Sequence, residues 1–283
     1  MKLTVVSNIS NIEEYKKIGA DAFIFGLKNY CSGYYNALTL EEIAKLRQDY
    51  DGELFIAINK NIFNDELKSV EEALVFLDKI RVDGILFYDL AILSIKRRLN
   101  LSIPLVWNQT HMVTNYNSCN YYYDKGVEYG VLASEITLSE VNELKEKTKM
   151  KLFLNVLGYQ VMSYSRRNLV DNFFKSIGKE REKESYIIKN NGEDYIIKQE
   201  DNGACLFSHK LLNGSVVIPN TNVDYVILND MDVLHSTFVK CLILFRKLID
   251  TKDEKYVKEI DSLIGEDRGF FFKKTIYKVK KND

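Results

Sequence analysis

The sequence has little proline, histidine, tryptophan and cysteine, and it lacks any long apolar run. Its 39 basic and 40 acidic residues give a net charge of −1, so any nucleic-acid binding has to use a local basic patch. No apolar run reaches the roughly 18 residues of a membrane span, and the N-terminal segment is too short for a signal-peptide core. We therefore expect no membrane segment and a cytoplasmic location.

Metal-ligand spacing is also lacking. The sequence has four cysteines: Cys31, Cys119, Cys205 and Cys241. None lies within a few residues of another, so CxxC-type metal and redox motifs are excluded and reduced, mostly buried thiols are favoured. The three histidines show no mutual ligand spacing, and the sequence contains no phosphate-cradling glycine-rich loop, HExxH helix or GxSxG elbow. We predict no metal site.

Short apolar runs, by contrast, recur along the chain. Four segments share one pattern, an acidic residue followed by a continuous apolar run, and they cover residues 20–26, 82–88, 127–133 and 223–229. A continuous run is typical of a strand that is covered on both faces, as in a parallel sheet. The N-terminal segment and three further runs, at 54–59, 105–110 and 152–157, bring the predicted strands to eight.

Amphipathic patterns predict helices between these strands, at residues 11–18, 39–50, 66–81, 90–99, 115–125 and 137–148. Thr39 and Thr137 each stand three residues before a glutamate, which is typical of a capping box at a helix start. Alternating strands and helices predict a parallel sheet. The shared pattern falls on every second strand, which favours a closed barrel over an open sheet. We predict one α/β domain over residues 1–283, a TIM-like (β/α)8 barrel.

The interval between the seventh and eighth predicted strands breaks this rhythm. Residues 186–189 and 195–198 are typical of strands, and the Asn191-Gly192 pair between them predicts a hairpin turn. A charge-rich stretch at 175–183 precedes them. We predict a β-containing insertion at about residues 160–220 that sits over the C-terminal face of the barrel, where nearly all characterised barrels carry the active site.

Polar residues follow the predicted strands at that same end, and we expect them to line a common cavity. The candidate catalytic residues are Asn108, His111, Glu135 and Tyr164. The candidate substrate-binding residues are Asn59, Asp89, Arg166 and Arg167. An amide-rich lining suits a neutral or anionic polar ligand, and arginine can hold a phosphate or carboxylate bidentately.

Simpler interpretations of these residues stay open. For any single asparagine, hydrogen bonding between loops is the favoured interpretation, and for His111 a role as a polar lining residue is favoured. The two arginines can equally pair with neighbouring acids and pin the insertion to the barrel. The C-terminal stretch at 273–281 alternates charged and apolar residues, which favours a half-buried edge strand over an RNA-contacting stripe.

Four segments resemble the peptidase U32 family. They are residues 107–121, 131–136, 157–172 and 268–271, and the third is similar to the hallmark motif of the family. The resemblance implies a barrel. Members of the family are described as collagenase-like peptidases, or act in the hydroxylation of 23S rRNA cytidine and of ubiquinone. The chain looks most like a short branch of low-GC bacteria, implicated in prephenate-dependent 5-hydroxylation of the tRNA wobble uridine.

The chain also departs from the family pattern. Val161 and Asn168 stand where hydroxylating relatives place iron–sulfur cysteines, and the downstream cysteines of that motif are missing from 169–190. Asn155 stands where the family has an acid before the hallmark glycine, and Ser134 stands where the family has an arginine before Glu135. Because a cluster needs its thiolates, the resemblance implies no iron–sulfur cluster here.

The expected function is therefore an accessory or substrate-binding one in tRNA wobble-uridine hydroxylation. The resemblance implies prephenate as co-substrate, with tRNA and a longer U32 paralogue as partners. A U32 peptidase is the alternative, although no candidate base stands beside Ser163 or Ser165 in the sequence. A non-catalytic barrel that binds a small ligand is the third alternative, because fold does not determine function.

Overall fold

The computed structural model describes residues 1–33 and 36–273, so the predicted tail strand lies outside the described residues except for its first position. The described residues form twelve strands: β1 (Lys2–Val6), β2 (Ala22–Leu27), β3 (Ala37–Leu38), β4 (Glu53–Ile58), β5 (Gly84–Phe87), β6 (Leu105–Trp107), β7 (Tyr129–Val131), β8 (Lys151–Ser165), β9 (Ser185–Asn190), β10 (Glu193–Glu200), β11 (Gly203–Asn213) and β12 (Tyr225–Asn229). They also form nine α-helices: α1 (Ile12–Ile18), α2 (Leu40–Asp49), α3 (Leu67–Lys79), α4 (Ala91–Leu99), α5 (Tyr116–Asp124), α6 (Leu138–Lys147), α7 (Leu169–Ser176), α8 (His235–Thr251) and α9 (Lys255–Ile264).

Eight parallel strands close into a barrel in the order β1, β2, β4, β5, β6, β7, β8 and β12. Closure comes from β12, which pairs in parallel with both β8 and β1. The predicted barrel is confirmed, and each predicted helix is present between its strands. Thr39 and Thr137 both form the predicted capping boxes, with Glu42 and Glu140 respectively. None of the helices in the described residues combines the length and apolar character needed to cross a membrane.

The floor of the barrel is aromatic. Phe55, Tyr129, Phe153 and Tyr225 point inward near the N-terminal ends of their strands, and the rings of Phe153 and Tyr225 stack with centroids 4.2 Å apart. Alternate residues of the same strands point outward and pack under the helices. Because both faces are covered, the strands are continuously apolar. The aromatic floor closes one end of the barrel, and the opposite, C-terminal end forms the mouth.

The insertion grows directly out of the barrel sheet. Strand β8 is 15 residues long; its first part pairs with β7 and β12, and its second part pairs in antiparallel fashion with β11. Strands β10 and β9 extend this ribbon. The predicted hairpin is confirmed, with Asn191 and Gly192 in the left-handed region at φ 51° and 82°. The long β8–β11 ribbon and helix α7 were not predicted.

The C-terminal segment fastens the insertion to the barrel. Arg268 donates hydrogen bonds to the Asn213 carbonyl at 3.0 Å and to the Asp261 carboxylate at 2.7 Å. The carbonyl of Phe271 accepts a hydrogen bond from the Leu138 amide at 2.9 Å. These contacts join α9, β11 and the start of α6, so residues 268–271 have a structural role.

Candidate functional site

The β8–β11 ribbon divides the barrel mouth into separate cavities. The central cavity has a volume of about 250 Å³ and lies over the ends of β4, β5 and β6. The flank cavity, of about 460 Å³, lies beside it over the ends of β7 and β8. The outer cavity, of about 540 Å³, lies on the other side of the insertion, near the ends of β1, β2 and β12. His111, Val161 and Met162 line both the central and the flank cavities, so these two adjoin.

Asparagines give the central cavity its polar wall. Asn59 accepts a hydrogen bond from the Ser32 amide at 2.9 Å and donates one to the Ser32 carbonyl at 3.0 Å. It thereby holds the loop after β2 over the mouth. Asn108 is buried at 7% exposure, and its backbone amide bonds to the Phe87 carbonyl at 2.9 Å. A side-chain amide offers two acceptor sites and two donors, so Asn59 keeps one of each beyond its bonds to Ser32.

Lys60 brings a buried charge to the same cavity, and it was not among the predicted residues. Its side chain is only 4% exposed and its Nζ lies 2.5 Å from Glu66 Oε1. Burial alone would raise the pKa of Glu66, but hydrogen bonds from Lys60 and from the Phe63 amide hold it below its ordinary value. The only sequence signal was a lysine directly after a predicted strand, which is usually an exposed position.

His111 and Glu135 meet at the boundary of the two cavities. His111 Nδ1 lies 3.8 Å from Glu135 Oε1, and both side chains are about half exposed. This distance is too long for a hydrogen bond, so the two groups attract each other only when the imidazole is protonated. Glu135 lines the flank cavity, whereas His111 lines both.

Tyr164 reaches the central cavity from the insertion. Its hydroxyl donates a hydrogen bond to the Asn202 carbonyl at 2.6 Å, which ties β8 to the turn between β10 and β11. Burial raises the pKa of Tyr164 to about 12. The phenol is therefore neutral near pH 7, and it would have to leave Asn202 to donate to a ligand.

The remaining predicted residues lie outside the central and flank cavities. Asp89 accepts hydrogen bonds from the Ile62 and Ala91 amides, both at 2.9 Å, and so organises the start of α4. The Arg166 guanidinium lies 3.6 Å from the centroid of the Phe63 ring, and Arg167 is exposed. Of the eight side chains expected at the mouth, the structure brings Asn59, Asn108, His111 and Tyr164 together at the central cavity and places Glu135 in the adjoining flank cavity.

The departures from the family motif fall mainly on the cavity walls. Ser134 and Asn155 line the flank cavity, and Val161 lies between the flank and central cavities. Asn168 is exposed and directly precedes α7. Three of the four residues that differ from the family pattern therefore line the cavities at the barrel mouth.

The outer cavity contains a second polar group that the sequence did not predict. Lys198 Nζ lies 2.9 Å from Glu200 Oε1, and burial raises the pKa of Glu200 despite this contact. Asp230 accepts hydrogen bonds from Ser7 and Tyr15, and burial raises its pKa as well. Ser7 and Tyr15 lie 223 and 215 residues from Asp230 along the chain, so local sequence patterns carry no signal for these two contacts.

Residues 1–33 and 36–273 contain neither a metal-ligand cluster nor a hydrogen-bonded serine–histidine pair. No group of three His, Cys, Asp or Glu side chains there could hold a metal ion. Burial raises the pKa of Cys31, Cys119 and Cys205 to about 12, which disfavours the thiolate form. In the same residues, no serine hydroxyl forms a hydrogen bond with a histidine.

The chain is similar in sequence and in fold to several known proteins. Residues 7–262 match the sequence profile of peptidase family U32. The chain is 25% identical to tRNA hydroxylation protein P2 of Bacillus subtilis (strain 168), over 97% of this chain and 98% of that protein. It is 24% identical to tRNA hydroxylation protein P1 of the same organism, over 60% of this chain and 41% of that longer protein. A solved structure of a U32 peptidase shares the fold, with a TM-score of 0.50 at 13% identity over 81% of this chain and 92% of the other.

Proposed function

This chain belongs to the peptidase U32 family, as its sequence predicted, and we propose that it acts in tRNA modification. The observation that carries the proposal is the similarity to tRNA hydroxylation protein P2, which extends over 97% of this chain and 98% of that protein. More specifically, we propose a role in the 5-hydroxylation of the wobble uridine, with prephenate as co-substrate. The protein would work in the cytoplasm, where tRNA is modified.

The central cavity supports this proposal through its size and lining. Its volume of about 250 Å³ lies below the roughly 300–1,000 Å³ of pockets for drug-sized ligands, so it suits a smaller group such as one nucleobase. Enzymes that act on a base take it out of the stack and read its edge by hydrogen bonds. Asn59 and Asn108 can offer donors and acceptors to such an edge. Tyr88, 36% exposed at the rim, is available for stacking.

The role proposed here is accessory or substrate-binding. Hydroxylation needs redox chemistry, and the positions of two cluster cysteines in hydroxylating relatives hold Val161 and Asn168. An iron–sulfur cluster does not fit the side chains present, because the four buried thiols lie on separate elements. We propose that a longer U32 paralogue supplies that chemistry while this chain positions the tRNA.

Mass spectrometry of tRNA nucleosides from a deletion strain tests the proposal. We expect nucleosides derived from 5-hydroxyuridine to be lost or strongly reduced, and to return on complementation with the wild-type gene. Complementation with Asn108→Ala/His111→Ala should fail, whereas Gln48→Ala, an exposed change on α2, should restore them. Unchanged nucleosides in the deletion strain would contradict the proposal and favour a non-catalytic ligand-binding barrel.

Peptidase activity is the second candidate, because Ser163 and His111 line the same cavity. A serine peptidase activates its nucleophile through an adjacent base, and no such hydrogen bond joins these two residues. We expect gelatin, casein and short peptides to remain uncleaved by the purified protein. Turnover that disappears in Ser163→Ala, Ser165→Ala or His111→Ala would replace the tRNA proposal with a peptidase.

A further inference from the structure

Helix α7 presents a row of apolar side chains to solvent. Leu169, Phe173 and Ile177 lie four residues apart, hence on one side of the helix, and are 43%, 59% and 49% exposed. The other side packs onto the insertion: Val170 is buried, and the Phe174 ring lies 4.9 Å from the ring of a tyrosine in β9. The helix is therefore anchored, and no contact within residues 1–33 and 36–273 buries its outward side.

Positive charge surrounds this row. Residues 166–183 contain six basic and three acidic residues, in a chain whose net charge is −1. Arg166 and Arg167 precede α7, and Lys175 and Lys179 lie at or after its end; all four are exposed. Within the described part of the chain none of the four forms an ion pair, while the single pair of this segment joins Arg181 to an aspartate of α7 at 2.7 Å.

The basic segment that flanks the apolar row begins next to the central cavity. Tyr164 lines that cavity, and two residues later Arg166 stacks on the ring of Phe63, which is 48% exposed. A guanidinium that lies flat on a ring keeps its N–H edges available for phosphate. Between the cavity rim and α7 the chain therefore carries an aromatic–cation contact, Arg166 on Phe63, and then Phe173 and Lys175, which are two residues apart and project from different sides of α7.

We propose that this surface, made of Phe63, Arg166, Arg167, Phe173, Lys175 and Lys179, holds an RNA strand beside the barrel mouth. The inference rests on the proposed function and adds where the RNA backbone lies when a base enters the cavity. Cations neutralise phosphates and exposed rings stack on unpaired bases, which together form the usual surface for single-stranded RNA. The cations on both sides of the apolar row make a polyanion the better match than an uncharged protein groove.

Salt-dependent binding of a tRNA anticodon stem-loop to the full-length protein tests the surface. For Lys175→Gln/Lys179→Gln we expect the slope of log affinity against log salt to become shallower by about 1.4, the value for two lost phosphate contacts on a single strand. The matched control is Lys17→Gln/Lys79→Gln, which removes two exposed lysines near the opposite end of the barrel and should leave the slope unchanged. Phe173→Ser should weaken binding roughly 5- to 100-fold if one base stacks on its ring.

The outcomes separate this inference from the proposed function. If the wild-type protein binds no tRNA and the deletion strain keeps its nucleosides, both fail. If the nucleosides depend on the protein but the α7 variants bind the stem-loop as the control does, only the α7 surface is wrong. If the α7 variants keep RNA binding but no longer co-purify with a longer U32 relative, α7 would be a protein-binding surface instead. If they keep RNA binding but no longer bind anionic vesicles, α7 would be a membrane-binding surface instead. Equal melting temperatures verify that the variants fold.

Discussion

Inside the barrel, Thr4 carries a hydroxyl for which the described residues provide no hydrogen-bond partner, although the residue is fully buried. An unpaired buried polar group costs about 1–3 kcal/mol. Replacement by valine keeps the branched shape and removes the hydroxyl, so Thr4→Val should raise the free energy of unfolding by about 1 kcal/mol. Urea denaturation measures the change. Thr114→Val, at an exposed position shortly before α5, is the control and should stay within about 0.5 kcal/mol of wild type. Lower stability of Thr4→Val would mean that a bound water satisfies the hydroxyl.

The contacts between side chains at the site could not be predicted from the sequence. Asn59, Asn108 and His111 could be placed at the mouth because each follows a strand whose apolar run is visible in the sequence. The contacts of Tyr164 with Asn202 and of Lys60 with Glu66 depend on how loops fold over one another. Such contacts have no periodic signature, so the position of a residue was predictable and its partner was not.

Asn59 provides a second residue-scale prediction. It makes two hydrogen bonds to the backbone of Ser32, so Asn59→Ala would leave a buried amide and carbonyl without this partner. We expect the free energy of unfolding to fall by about 1–3 kcal/mol, and the loop after β2 to become more sensitive to protease. Asn61→Ala, which changes an exposed asparagine on the same cavity, is the matched control. Equal stability of the two variants would show that Asn59 acts on a ligand alone.

Among the elements, the β8–β11 ribbon depends on Gly203. Its φ is 128°, and a Cβ there would lie 2.2 Å from the Ser165 carbonyl oxygen and 2.8 Å from the Arg166 Cα. Backbone atoms cannot move away without separating the two strands, so Gly203→Ala should lower the free energy of unfolding by about 1–3 kcal/mol. Gly178→Ala is the control, because that glycine also has a positive φ, 70°, but no atom within 4 Å of the added Cβ. Comparable losses in urea denaturation would show that φ alone sets the cost.

Local signals explain which elements were predictable. The β9–β10 hairpin was predictable, because Asn191 and Gly192 accept the left-handed backbone that such a turn needs. The extension of β8 was not predictable, because residues 158–165 have no continuous apolar run and pair with residues of β11 that lie 39 to 54 positions later in the chain. Helix α7 was missed for a related reason, since its apolar row faces solvent and its end runs into the charge-rich stretch at 175–183.

At the scale of the whole molecule, the two ends of the barrel differ in chemistry. The N-terminal end is filled by four aromatic rings, of which Phe55 and Phe153 meet edge to face with centroids 5.3 Å apart. The C-terminal end holds amides, a buried lysine and three cavities under the insertion. Within residues 1–33 and 36–273, the aromatic rings fill the N-terminal end and leave the C-terminal end as the open one. The insertion and α7 lie on that open side, which is why the proposed cavity and the proposed RNA surface are neighbours.

The distribution of cysteine supports a last prediction about the molecule as a whole. The four thiols lie in the loop after β2, in α5, in β11 and in α8, and all are buried. Burial raises the pKa of Cys241 to about 11 and that of Cys31 to about 12.

An iron–sulfur cluster needs several thiolates at one point, so we expect the anaerobically purified protein to be colourless and free of iron and sulfide. A brown preparation of the wild-type chain with stoichiometric iron and sulfide would mean that the protein carries its own redox centre, and the accessory role would have to be abandoned.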